Sequence, residues 1–394
     1  MKGNLLIIHG GGPTPVINAS LAGVINEARK HSEIQNIYGA IGGIKGFLEE
    51  RLIDLGHQSQ EKIEQLPFTP GSVIGTCRYK LTEGDYPKLF ELLKKYDIGY
   101  FFCTGGDDTM DTCNKIHKME KDFEIRVMGI PKTIDNDLAL TDHCPGFGSA
   151  AKYVAISVDE VGRDVEALNI HVCIIETMGR NAGWLAASSL LARKRAEDAP
   201  HLIYLPERGF SEEEFLDDVD NLFSKRAGIV VVVSEGLKDK NGVSLVSPKH
   251  KSAINGFGHP LPGNVSHYLA ELVSEKLGIR TRSEKPGLLG RVSMALQSDV
   301  DRQEAIRVGE FAVRSAIEGK SGLMVGLDRI SDSPYKCELE LFPLEKVVNV
   351  EKPVPEIYIN KRGNDVNKNF ITYCQPLAGL LPDYMRLEER WVKV

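Results

Sequence analysis

One pattern constrains the fold of this chain more than any other. Short, almost uninterrupted apolar runs recur, each ending in a glycine-rich or acidic turn and followed by an amphipathic segment. Leu5 to His9, Ile98 to Cys103, Ile125 to Ile130, Ile170 to Glu176, Leu202 to Leu205 and Ile229 to Ser234 are such runs. A strand wetted on one side alternates apolar and polar residues; these do not, so both faces must be covered, as in a parallel sheet between helices. Between the runs the period becomes helical: Ile17, Leu21, Val24, Ile25 and Ala28 share one face of a helix expected from about Val16 to Lys30. Asp301-Arg302-Gln303-Glu304 has capping-box spacing and is expected to open a helix to about Ile317. Gly319 and Gly322 close it before a strand from Leu323 to Leu327. The expected fold is α/β, with two Rossmann-like doubly wound lobes, mostly parallel sheets and a site in the cleft between them. At 394 residues the chain exceeds the roughly 250–300 at which a single core stops growing, which also asks for two lobes.

Bulk properties narrow the function. The net charge of −7, without a basic stripe, excludes nucleic acid as a partner. No apolar stretch reaches the ~18–20 residues needed to cross a bilayer. Met1 to Asn4 runs into the first strand with no cleavable signal pattern. The seven cysteines are odd in number and scattered, with no C-x-x-C pair, and Cys103 and Cys173 lie inside apolar runs. A cytoplasmic protein with reduced thiols is expected.

Ligands of open α/β sheets bind beyond the carboxyl ends of the strands, so what stands there matters most. The first run ends in Gly10-Gly11-Gly12-Pro13, where backbone N–H groups and a helix start can meet an anion. The loop Gly75-Thr76-Cys77-Arg78-Tyr79-Lys80 is basic, although an isolated arginine is usually just solvated. The next run ends in Gly105-Gly106-Asp107-Asp108-Thr109. Helix capping accounts for one of those carboxylates, and Mg²⁺ held by one or two carboxylates and substrate phosphates accounts for both. Pro131-Lys132-Thr133-Ile134-Asp135-Asn136-Asp137 follows, and alternation places Thr133, Asp135 and Asp137 on one side of an extended segment. A carboxylate there can take a hydroxyl proton and Lys132 can sit beside a phosphoryl group; the competing reading is a loop whose Asx side chains bond their own backbone. Met178-Gly179-Arg180 ends a further run, with Arg180 aimed at an anion or paired to Glu176, and Glu235 ends another. A metal, a base and surrounding cations are the parts of direct phosphoryl transfer.

Gly11-Gly12 with Pro15 and Asn18, Gly105-Gly106-Asp107, Thr133 to Asp137 and Met178-Gly179-Arg180 stand in the order and rough spacing of the phosphofructokinases, and residues 4–330 resemble that family. The resemblance implies a homodimer or homotetramer and Mg²⁺ as cofactor. It implies Asp135 as base, with Lys132, Asp137 and Arg180 in the catalytic set, and Asp107 on the metal. Gly11, Gly12, Arg78, Asp108, Thr109 and Lys132 would face the donor; Thr133, Asp135, Met178, Gly179, Arg180 and Glu235 would line the acceptor pocket, with His171 at a usual phosphate-binding position and Arg282 and Arg291 as cations that compensate where the acceptor motifs depart. Residues 1–146 with about 290–330 would form the larger donor lobe, 147–289 the acceptor lobe, and 331–394 a C-terminal extension packed on them.

Two positions bear on the donor. ATP-using members usually carry Gly where this chain has Asp108 and Lys132, and that Asp–Lys pair is typical of pyrophosphate-dependent members. An Asp fills the space of a nucleotide and repels its α-phosphate, whereas Lys132 adds a charge-assisted bond to a donor without a nucleoside. The acceptor motifs depart from the pattern: His171 stands at a usual Arg position, and Leu289-Gly290-Arg291-Val292-Ser293-Met294 ends in Met where Arg is usual. Fructose 6-phosphate is the family default, with an unphosphorylated polyol or sugar such as myo-inositol as the alternative.

Overall fold

The computed structural model describes residues 1–119, 124–168, 170–226, 228–246 and 263–387. Among them the strands are β1 (Gly3–His9), β2 (Ile34–Ala40), β3 (Leu52–Asp54), β4 (Ile98–Gly105), β5 (Arg126–Pro131), β6 (Val172–Thr177), β7 (Leu202–Tyr204), β8 (Ile229–Ser234), β9 (Thr281–Glu284), β10 (Leu323–Asp332) and β11 (Tyr335–Pro343). They form a seven-stranded sheet, ordered β11-β10-β5-β4-β1-β2-β3, and a four-stranded sheet, β7-β8-β6-β9. The smaller sheet is wholly parallel, and the larger is parallel except for β3 and β11 at its edges. The α/β, two-lobed architecture expected from the apolar runs is what the chain adopts.

Burial explains why those runs do not alternate. Leu5, Ile7, Tyr100, Phe102, Met128 and Ile130 enter the core on one face of the larger sheet. Leu6, Ile8, Phe101, Cys103 and Val127 enter the core on the other. The smaller sheet repeats this, with Cys173, Ile175, Val230 and Val232 in one core and Val172, Ile174, Val231 and Val233 in the other. Residues 335–343 are an edge strand of the larger sheet, so this part of the region after 331 completes a lobe instead of lying on it. Farther on, the helix Asn369–Ala378 contributes Phe370, Tyr373, Cys374 and Leu377 to the core around the long helix Phe147–Ala167.

One helix start differs from expectation. The helix runs Asp299–Ile317 and its cap is Ser298, whose hydroxyl accepts from the Asp301 N–H at 3.4 Å. Asp301 instead accepts from the Gly146 and Ser149 N–H groups at 2.8 and 2.9 Å and so caps the helix Phe147–Ala167. The capping-box spacing is real, but a tertiary partner took its carboxylate. This helix crosses Ile17–Ala28 so closely that a Cβ on Gly23 would lie 2.1 Å from the Ile306 carbonyl oxygen, and one on Gly309 would lie 2.2 Å from that of Ser20. The contact fastens the return of the chain from the second lobe beside the first strand's turn.

Candidate active site

β1, β4 and β5 run parallel and side by side, so their following turns share one edge. The Gly10–Gly12 turn is tied to its neighbours through the backbone: Gly10 N–H donates to Thr104 O (2.9 Å) and Gly11 N–H to Cys77 O (2.9 Å). The Thr76 hydroxyl donates to Gly11 O at 2.7 Å, which places the basic loop through Arg78 against the turn. Thr109 is buried under the same turn. Lys132 N–H donates to Gly105 O at 3.0 Å, and its ammonium donates to Gly12 O at 2.6 Å. A Cβ at Gly12 would stand 2.6 Å from an Arg291 guanidinium nitrogen, so that side chain lies directly against the turn. Arg291, read from sequence as an acceptor residue, therefore abuts the donor turn too. It arrives on the short helix Leu288–Val292, where the chain leaves the second lobe.

These groups also act on one another electrostatically. Burial pulls the Lys132 ammonium down to about 8; Arg291 and Arg78 act in the same direction, and Asp135 and Asp137 oppose it. Burial, with Asp137 and Glu235 adding to it, pushes the Asp135 carboxyl up to about 8 against Lys132 and Arg180. Its Oδ1 is buried without a hydrogen-bond partner, a polar atom aimed at something the protein itself does not supply. The loop is not the extended segment that alternation suggested. Thr133 Oγ1 accepts from Asp135 N–H at 3.0 Å and Asn136 has a left-handed φ of 54°. A turn, with Thr133 also bonding Asp137, brings the two carboxylates together.

From the second lobe, β6 delivers Met178, Gly179 and Arg180, and β8 delivers Glu235. Glu235 N–H donates to Thr177 O at 3.0 Å, so the two loops are joined. Burial raises the Glu235 carboxyl, with Lys285 and Arg180 pulling it back. The Arg180 Nε is buried without a partner, and Glu176 does not pair with it. Glu176 instead holds Lys285 at 2.5 Å and the Ser266 N–H at 2.8 Å. Lys285 thus stands beside the Glu235 carboxylate, a cation that no motif in the sequence marked.

Asp107 and Asp108 occupy the first turn of the helix Asp107–Met119. Burial raises the Asp107 carboxyl despite a bond from Asn349 N–H at 2.8 Å, and Asp108, Asp137 and Asp111 raise it further. Hard carboxylate oxygens crowded by like charge suit a divalent cation such as Mg²⁺.

Two expected acceptor residues lie elsewhere. His171 precedes β6 and Arg282 pairs with Cys173 near that strand's start. They stand at its amino end, roughly 20 Å of strand away from Met178–Arg180. His171 is buried, and burial, with Arg282 and Arg280, lowers its imidazole.

The phosphofructokinase sequence profile matches residues 4–316, most of the chain. The chain belongs to the phosphofructokinase family. A pyrophosphate–fructose 6-phosphate 1-phosphotransferase of Xanthomonas campestris is 41% identical over 386 residues, covering 95% of this chain and 91% of that protein. A sulfofructose kinase of Alkalicoccus urumqiensis is 36% identical over 357 residues, 89% of this chain and 91% of its own. The crystal structure of a pyrophosphate-dependent phosphofructokinase from Nitrosospira multiformis superposes with a TM-score of 0.88 at 37% identity, covering 99% of this chain and 95% of that one. Phosphofructokinase motifs thus coincide with the strand ends that converge here.

Proposed function

We propose that this phosphofructokinase-family protein is a Mg²⁺-dependent phosphotransferase that moves a phosphoryl group from pyrophosphate to a sugar hydroxyl, with fructose 6-phosphate as acceptor and fructose 1,6-bisphosphate as product. The observation that carries the reading is the convergence of Lys132, Arg78 and Arg291 on the glycine turn, directly beside the unpartnered Asp135 oxygen. Three cations around a turn without side chains of its own suit a compact polyanion. Asp108 and Lys132 favour a donor without a nucleoside, and the relatives named for pyrophosphate support the same choice.

In this reading pyrophosphate lies along Gly11 and Gly12, with Lys132, Arg78 and Arg291 countering its charge. Asp107, with Asp108 nearby, would hold Mg²⁺, which when bound supplies charge neutralisation to the diphosphate oxygens. Asp135 takes the acceptor hydroxyl proton as the new O–P bond forms and the bridging P–O bond breaks, releasing orthophosphate. Asp137 and Arg180 flank that step, one setting the basicity of Asp135 and the other facing the transferred charge. Thr133, Met178, Gly179, Arg180 and Glu235 line the acceptor side. His171 and Arg282 cannot reach an acceptor at Asp135 of their own chain, so a phosphosugar role for them requires a second copy, in keeping with a homodimer or homotetramer.

A second reading keeps the donor and takes an unphosphorylated polyol or sugar. Met294 in place of a cation favours it. Purified protein with Mg²⁺, pyrophosphate or ATP, and fructose 6-phosphate or myo-inositol separates these. Phosphate release with pyrophosphate and fructose 6-phosphate is expected; turnover with ATP alone rejects the donor, and turnover with the free polyol alone rejects the acceptor.

A further inference from the structure

Residues 349–352 lie beyond the 4–316 matched to the family, yet they touch the site at two points. Asn349, at a left-handed φ of 58°, turns its N–H onto Asp107 Oδ1 at 2.8 Å. Lys352 N–H donates to the Asp137 carbonyl at 2.9 Å, and Glu351 bridges Leu138 antiparallel. The Lys352 ammonium then reaches beneath the loop. It donates to the carbonyls of Thr141 (2.9 Å) and Asp142 (2.7 Å) and lies 3.3 Å from Asn136 Oδ1. Trp184 covers it, with the ring centroid at 5.2 Å and the indole N–H donating to the Lys352 carbonyl at 2.8 Å.

A cation taken out of water costs free energy unless its donors are satisfied. Here the ammonium gathers three oxygens of the one loop that carries Asp135 and Asp137. Tyr373, also from the C-terminal region, completes the arrangement by accepting from Asn136 Nδ2 (2.8 Å) and donating to the Asp142 carbonyl (2.8 Å). Asn136 Oδ1 accepts from the Cys144 N–H at 3.0 Å. The left-handed Asn136, next to the base, is thereby fixed from both sides.

We propose that Lys352 is a positioning residue: from the C-terminal segment it clamps the loop 135–142 and so fixes the Asp135 carboxylate against the acceptor hydroxyl. The inference rests on Asp135 as the base. Misplacement of a reacting group by about 1 Å costs on the order of 10²-fold in rate without loss of binding. Lys352→Met in the full chain is therefore expected to lower kcat by roughly 10–100-fold while KM for pyrophosphate stays within about threefold. Lys352→Arg, which restores a charged donor, recovers part of that loss. Wild-type kcat in Lys352→Met overturns the proposal, as does a loss that tracks the folded fraction and is not recovered by Arg. If Lys352→Met does not fold, Tyr373→Phe removes a hydroxyl from the same loop and is judged by the same split. Should the wild-type protein not use pyrophosphate at all, the proposed function fails separately. Hydrogen exchange of residues 133–143 then decides the clamp: faster exchange in the variant supports it, and unchanged exchange overturns it.

Discussion

At Asp135 burial and two neighbouring carboxylates outweigh two cations, leaving the group near 8. A base must be deprotonated, so activity of the free enzyme should fall as pH drops through about 8, well above the ordinary carboxylate range. The pH profile of kcat/KM checks this; an acidic limb near the usual value for Asp would contradict it. Asp135→Asn keeps the shape and removes the proton acceptor, and should lower kcat by at least ~10²-fold with substrate KM little changed. His9 offers a second test. Ser72 Oγ lies 2.8 Å from both Gly75 O, to which it donates, and His9 Nδ1, so the imidazole must donate through Nδ1. Its Nε2 is left a bare, buried acceptor, and burial with Lys132 lowers the group to about 3. A neutral His9 thus holds the loop that ends in Arg78. His9→Leu should raise KM for pyrophosphate about 2–10-fold, the worth of one hydrogen bond, and leave the acceptor KM unchanged. Equal changes in both constants would remove His9 from the donor side.

Among elements, the helix Asp299–Ile317 does more than pack. Its Glu304 accepts from His143 Nε2 at 2.7 Å and from the Tyr335 hydroxyl at 2.6 Å, while Asp142 takes His143 Nδ1 at 2.7 Å. With a carboxylate on each nitrogen the ring is an imidazolium, raised to about 9 against the cost of burial. Arg329, Tyr335, Cys337 and Arg307 surround these groups. A raised histidine contributes stability that is complete below about 6.5 and is lost as pH climbs through about 9. Glu304 and Asp142, both lowered, lose theirs only on the acidic side. The midpoint of thermal unfolding should therefore fall between pH 7 and 10, and His143→Gln should lose that slope along with stability at neutral pH. A variant with the wild-type slope would contradict the assignment. The sequence showed the helix but not these partners. Spacing alone assigned Asp301 to its own helix, and nothing local says that Gly146 and Ser149 compete for it. Strands were readable because their signal, apolar residues on both faces, is local; Thr133 to Asp137 misled because its turn is set by a side-chain bond and a left-handed Asn136.

For the whole molecule, the residues gathered at Asp135 were readable from motifs at strand ends, since in each of the two sheets the parallel strands bring such ends to one edge. Lys285 and Lys352 were not, because their partners lie far along the chain and neither sits in a motif. His171 and Arg282 pose the opposite case: they occupy expected acceptor positions but stand at the far end of β6. The two facts agree only if an oligomer presents that end to another copy's site. His171→Ala should then raise the acceptor KM, and Asp135→Asn should abolish turnover. Coexpressed chains carrying one change each would form hybrids in which one site draws Asp135 from the first chain and His171 from the second. Isolated hybrids should show wild-type acceptor KM at that site and, at acceptor concentrations below the raised KM, exceed the mean activity of the parents. Activity equal to that mean would place His171 in its own chain's structure alone, and an unchanged acceptor KM in His171→Ala would turn the acceptor toward a neutral polyol.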